Sequence, residues 1–166
     1  MKLQGLSHIF LFVTDIERAR AFYSDVLGLE VLEQDPKHGG LFLALPGGTH
    51  IVDMAKVDEP PPPAPKLDGC HKPKPGVGHV AFHIASHEAL RDAYFELLDK
   101  GVEVFAKADH KSQQSIYFLD PDNNPLEICW ERPNARELYL GGRGDEDEPL
   151  KFTRLDIKRK NWVANG

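Results

Sequence analysis

The feature that most constrains this chain is that it contains itself twice. The stretch Ser7-His8-Ile9-Phe10-Leu11-Phe12-Val13 has a counterpart in Gly78-His79-Val80-Ala81-Phe82-His83-Ile84. Each is a β-branched and aromatic run with a histidine in the same place, and each reads as a strand. Helical spacing follows both. After the first run, Thr14 and Glu17 make a capping-box pattern, and Ile16, Ala19, Phe22, Tyr23 and Val26 recur at helical spacing until Gly28. After the second, Ser86 is the candidate N-cap of a stripe formed by Leu90, Ala93, Tyr94, Leu97 and Leu98 that ends near Lys100-Gly101. The two copies then leave their helices alike, through Gly28-Leu29-Glu30-Val31 and Gly101-Val102-Glu103-Val104. Leu41 to Leu45 and Thr49 to Ala55 read as two more strands of the first copy, Ser115 to Leu119 and Leu126 to Trp130 as two more of the second. The expected fold class is α+β, a βαβββ module written twice.

At 166 residues the chain fits one domain with a substantial core and needs no disulfides. We place that domain at residues 1–132, with module one at 4–57, a linker at 58–74 and module two at 75–132, followed by an extension at 133–166. The linker holds Glu59-Pro60-Pro61-Pro62-Pro63-Ala64-Pro65, which cannot enter a sheet and suits a stiff spacer. The extension carries the acidic run Asp145-Glu146-Asp147-Glu148 and a basic tail with Trp162, and is expected to pack on the domain or on a second subunit. A net charge of −6 from interspersed acids and bases disfavours nucleic acid and anionic membranes as partners. Cys70 and Cys129 form no framework and suit a reducing compartment, so the expected location is cytoplasmic. Neither a signal peptide nor a run of 18 apolar residues is found.

Strand alternation decides which side chains share a face. Val80, Phe82 and Ile84 suit the face that covers the helix, which turns His79, Ala81 and His83 the other way; His8, Phe10 and Phe12 take the matching positions. In the last strand Leu126 and Ile128 point one way and Glu127 the other. An unpaired carboxylate there would cost several kcal/mol to bury. Two imidazoles and a carboxylate on one face of a divalent ion satisfy it and leave coordination positions open. The candidate metal ligands are therefore His8, His79 and Glu127.

These residues resemble the vicinal oxygen chelate superfamily of glyoxalases, bleomycin and fosfomycin resistance proteins and type I extradiol dioxygenases. The resemblance spans roughly residues 4 to 132. It is carried by Leu6-Ser7-His8, Ala21-Phe22-Tyr23, Val26-Leu27-Gly28-Leu29, Gly78-His79-Val80-Ala81-Phe82 and Phe118-Leu119-Asp120-Pro121-Asp122-Asn123-Asn124-Pro125-Leu126-Glu127. It implies paired modules forming a half-open barrel around a metal held by His8, His79 and Glu127. Within the superfamily, the segment from His110 through Tyr117 to Glu127 is most similar to the ring-cleaving dioxygenase signature, with Asn123 where Gly or Pro is usual. That likeness implies Fe(II), with Mn(II), Ni(II) or Zn(II) also acceptable to the donors, a catechol-like substrate and O2. It further implies His110 and Tyr117 hydrogen-bonding the substrate oxygens, and His50 as acid/base for the catechol proton. A homodimer is expected by analogy, and modules exchanged between subunits would bring His8 and His79 together from different chains.

Two alternatives stay open. Alternation puts His50 and Asp53 on opposite faces unless the strand bulges, so one of them is expected to reach the cavity. Were it Asp53, the metal would gain a fourth protein ligand and the site would resemble glyoxalase I, a lyase acting on a glutathione hemithioacetal. A non-catalytic small-molecule-binding member of the superfamily is the other alternative, disfavoured by the presence of the triad. His83 is placed at the pocket mouth, and His38, His71 and His87 on the surface.

Overall fold

A computed structural model describes residues 1–64, 75–142 and 147–154. The chain divides into two compact units, Met1–Lys72 with Leu119–Asn124, and Pro73–Phe118 with Pro125–Gly166. The expectations about Cys70, His71, Trp162 and the basic tail lie outside the described residues, as do the last ten residues of the linker.

The first unit is built on a four-stranded sheet of β1 (Ile9–Val13), β2 (Glu30–Gln34), β3 (Gly40–Ala44) and β4 (His50–Lys56), in the order β1-β4-β3-β2. β1 runs parallel to β4, and the other pairs are antiparallel. The helix between β1 and β2 is α1 (Ile16–Ala21), which widens into a π-helical turn over Phe22–Val26. Its N-cap is Asp15, whose carboxylate accepts from the Arg18 amide, so the cap falls one residue beyond the expected Thr14 and, with Arg18 at the third helical position, forms no capping box. Thr14 has another partner: its amide and hydroxyl both donate to Asp122, at 3.1 and 2.5 Å. Ala19, Tyr23, Leu41, Leu43, Val52 and Met54 pack as the core of this unit, each at most 1 % exposed. Burying a full aliphatic side chain contributes about 1.5–3 kcal/mol before entropy is counted.

The second unit repeats the plan. Its sheet has the order β5-β8-β7-β6-β9, from β5 (Val80–His83), β6 (Val104–Asp109), β7 (Gln113–Leu119), β8 (Pro125–Glu131) and the short β9 (Glu148–Pro149). β5 is parallel to β8 as β1 is to β4. The helix α2 (His87–Asp99) is capped by the Ser86 hydroxyl, which accepts from the Ala89 amide at 3.1 Å. Its buried face is Leu90, Phe95 and Leu97; Leu98, expected in that stripe, is 40 % exposed, because Phe95 takes the inward position. Both long helices end on a glycine with positive φ, Gly28 at 75° and Gly101 at 76°, the left-handed conformation that costs glycine least.

The extension contributes two elements with no counterpart in the repeat, α3 (Ala135–Leu140) and β9, which pairs antiparallel with β6. Among the described residues no helix is long and apolar enough to cross a membrane. Two sheets of four and five strands with few helices make the fold mixed α+β, in agreement with the expected class.

Candidate metal centre

In the first unit the site begins where β1 begins. His8 precedes Ile9, and the register Phe10↔Asp53 puts Asp53 on the adjacent strand two residues further along. A β-bulge decides what joins them. Pairing of β3 with β4 passes from Leu43↔Val52 to Ala44↔His50, so Ile51 has no partner and alternation slips by one residue there. That bulge is the exception to alternation allowed for above, and it brings His50 and Asp53 together beside His8, while His50 lines the adjoining cavity. His50 Nδ1 lies 2.7 Å from Asp53 Oδ1, and His8 Nε2 lies 3.6 Å from Asp53 Oδ2. The two imidazoles stack with centroids 4.6 Å apart. One donor atom from each of His8, His50 and Asp53 falls within 4.8 Å of the others, and Asp53 is buried. An open cavity of about 450 Å³ adjoins His50, walled by Leu32, Phe42 and Gly48 with Glu33 and Thr49. That volume suits a small ring.

In the second unit the same register recurs, since Ala81, two residues after His79, pairs with Glu127. His79 Nε2 is 2.8 Å from Glu127 Oε2, and Gln113 Nε2 donates to Glu127 Oε1 at 2.9 Å. Glu127 is 1 % exposed, a buried carboxylate satisfied by an imidazole and an amide. Gln113 had no part in the sequence reading, and its position at the start of β7 offered no signal of one. His110 and Tyr117, expected beside the metal ligands, meet each other: His110 Nε2 is 2.8 Å from the Tyr117 hydroxyl. The Tyr117 ring lies edge-on to His79, with centroids 5.6 Å apart. Burial, then the nearby Glu127 carboxylate, pushes the Tyr117 hydroxyl up to about 12, so it is a neutral donor at physiological pH. Burial and then Glu127 likewise push the Cys129 thiol up to about 11.

The donor sets suit a borderline divalent ion, since each unit offers imidazole nitrogen beside a buried carboxylate. The remaining histidines divide. His38 is exposed and pairs with Asp35, and His83 is exposed at the end of β5. His87, expected on the surface, is half-buried instead: its Nδ1 meets Gln114 at 2.5 Å and its ring contacts Trp130 and Phe152.

The Asp-Pro turn organises the first unit. Asp120 accepts from the Tyr23 hydroxyl at 2.9 Å and from the Asn124 side chain at 2.8 Å, while Asp122 takes Thr14 and Arg18. Asn123 adopts φ 63°, the left-handed conformation its short amide tolerates.

The Glyoxalase/Bleomycin resistance protein/Dioxygenase superfamily model matches residues 5–128. Biphenyl-2,3-diol 1,2-dioxygenase 3 of Rhodococcus globerulus is 30 % identical over 123 residues, covering 74 % of this chain and 61 % of that protein. Lactoylglutathione lyase of Schizosaccharomyces pombe is 28 % identical over 147 residues, covering 77 % of this chain and 48 % of that one. The chain thus spans only about half to three fifths of the length of these two relatives. Among solved structures, a glyoxalase/dioxygenase from Nostoc punctiforme aligns with a TM-score of 0.63 and 26 % identity, covering 78 % of this chain and 92 % of that one.

Proposed function

Because this chain belongs to the Glyoxalase/Bleomycin resistance protein/Dioxygenase superfamily, we propose that it is a ring-cleaving dioxygenase of extradiol type, acting on a catechol-like vicinal diol with O2. In this reading Fe(II) would be held by His8, His79 and Glu127. The bound metal would supply Lewis acidity and a template for both reactants. The observation that carries the reading is the His110–Tyr117 pair, joined at 2.8 Å and set edge-on to His79. A hydroxyl and an imidazole beside a ligand are what a diol oxygen needs for orientation.

The first unit adds an acid/base. Asp53 binds Nδ1 of His50 and thereby fixes the ring's orientation and tautomer, the role a carboxylate plays behind a catalytic histidine. His50 also lines the open cavity, where Phe42 and Leu32 offer apolar walls to an aromatic ring. The partners in this reading are the diol, O2 and, by analogy within the superfamily, a second copy of the chain in a cytoplasmic homodimer.

One observation favours a second reading. Asp53 occupies in the first sheet the register position that Glu127 occupies in the second, and it approaches His8. Two histidines with two carboxylates would suit a glyoxalase I-type lyase acting on a glutathione hemithioacetal. Reconstitution with Fe(II) under anaerobic conditions, then addition of catechols and O2, separates the two. Yellow ring-fission products with one O2 consumed per diol support the dioxygenase. Turnover of the hemithioacetal with Ni(II) or Zn(II), and none of catechols, would replace it with the lyase. Tight binding of small aromatics with neither turnover nor metal uptake would leave a binding protein.

A further inference from the structure

The turn after β8 brings the extension back to the start of β7. β8, which carries Glu127, ends at Glu131; the Arg132 amide then donates to the Ser112 carbonyl at 2.9 Å, and buried Ala135 opens α3. Ser112 is the residue before Gln113, so α3 rises beside Gln113. The Tyr139 hydroxyl, on α3, donates to Gln113 Oε1 at 2.9 Å. Gln113 Nε2 in turn donates to Glu127 Oε1 at 2.9 Å and to the Ser115 hydroxyl at 3.2 Å. The other Glu127 oxygen, Oε2, lies 2.8 Å from His79 Nε2, and the Tyr117 hydroxyl faces the same carboxylate. Tyr139 falls outside residues 5–128, so the superfamily match assigns it nothing.

We propose that Tyr139 is a positioning residue for Glu127: it holds the Gln113 amide with Nε2 on Glu127 Oε1, which keeps that oxygen engaged and turns Oε2, the oxygen on the His79 side, to a metal ion. A carboxylate that holds a cation is ionised and only accepts, whereas a primary amide has two N–H donors and one carbonyl. All three groups of the Gln113 amide are then used, the N–H donors on Glu127 and Ser115 and the carbonyl by Tyr139. Turned the other way, the amide would set its carbonyl against the carboxylate. Glu127 therefore decides which end of the amide faces it. Tyr139 keeps the amide there, because Gln113 is only half-buried and would otherwise exchange the contact for water. The consequence for metal rests on the reading of Glu127 as a ligand; the seating of the amide does not.

The test uses the full-length chain, first without metal. The side-chain NH2 signals of Gln113, assigned by their loss in Gln113→Leu, report how the amide is seated. In the wild type the carboxylate should shift one of the two protons downfield. In Tyr139→Phe, which keeps the exposed ring and loses only the hydroxyl, the two shifts should converge. Leu140→Ala, at an exposed position of the same helix, should leave them in place. Zn(II), a redox-inert ion that the same donors accept, then reads the consequence by isothermal titration. Tyr139→Phe should weaken Zn(II) binding about threefold, the low end of what one hydrogen bond contributes, and Gln113→Leu about tenfold. The double variant should match Gln113→Leu alone, because Tyr139 acts only through Gln113. Gln113 signals unmoved in Tyr139→Phe overturn the proposal. Where Glu127→Gln weakens Zn(II) binding, an unchanged affinity in Tyr139→Phe or an additive loss in the double variant overturns it as well. Converging signals together with Zn(II) binding that Glu127→Gln does not weaken support the seating and sink the ligand reading alone.

Discussion

The two sheets hold the same pair of groups at the same register and surround them differently. In the first, Asp53 is engaged by His50 at 2.7 Å and stands 3.6 Å from His8; in the second, Glu127 meets His79 at 2.8 Å and accepts from the Gln113 amide on its other oxygen. The longer glutamate side chain reaches the strand histidine that the aspartate falls short of. A duplicated scaffold thus places a carboxylate twice, and the residue beside each decides its work. In the proposed reading Asp53, with a second imidazole beside it, orients His50 as acid/base, whereas Glu127, with an amide in that place, is left to the cation.

The largest effect that sharpens this contrast is expected from Glu127→Gln, which should lower Fe(II) affinity by at least about 100-fold, well beyond the loss of an orienting neighbour. Asp53→Asn should leave Fe(II) stoichiometry intact and reduce turnover about tenfold through His50. Loss of metal from Asp53→Asn equal to that from Glu127→Gln, read by isothermal titration, would break the contrast and favour the lyase. Gln113→Leu removes the amide from a buried carboxylate oxygen, and its cost of about 1–3 kcal/mol in the metal-free chain should appear as a lower denaturation midpoint, relieved in part by added metal. Tyr23→Phe should cost a similar amount by stripping a hydrogen bond from buried Asp120, with metal affinity unmoved. Asn123→Gly should matter least. Relief of the left-handed strain offsets the lost hydrogen bond to the Pro62 carbonyl, leaving a net change in unfolding free energy under about 1 kcal/mol.

Periodicity and self-similarity made the eight strands and two main helices of the repeat legible, because alternation and helical spacing report burial directly. The same alternation puts His79 and Glu127 on one face, and the two side chains meet at 2.8 Å within the second sheet. It left His50 and Asp53 open, because a bulge there shifts the pleat by one residue and the Gly47-Gly48 turn just ahead gives no measure of that slip. Thr14 was misread as a cap because its real partner, Asp122, lies more than a hundred residues away, and local capping rules see only the next turn. Gln113 escapes the same rules, since its contact with Glu127 comes from the register between two strands. The strand at Glu148–Pro149 is two residues long and too short for any period to show.

The proposed ligand set of His8, His79 and Glu127 is tested most directly by anaerobic Fe(II) titration of the wild type, His8→Ala and His79→Ala. One ion per chain in the wild type, lost from both variants, is the predicted result. Two ions per chain, or tight binding that survives either substitution, would contradict it.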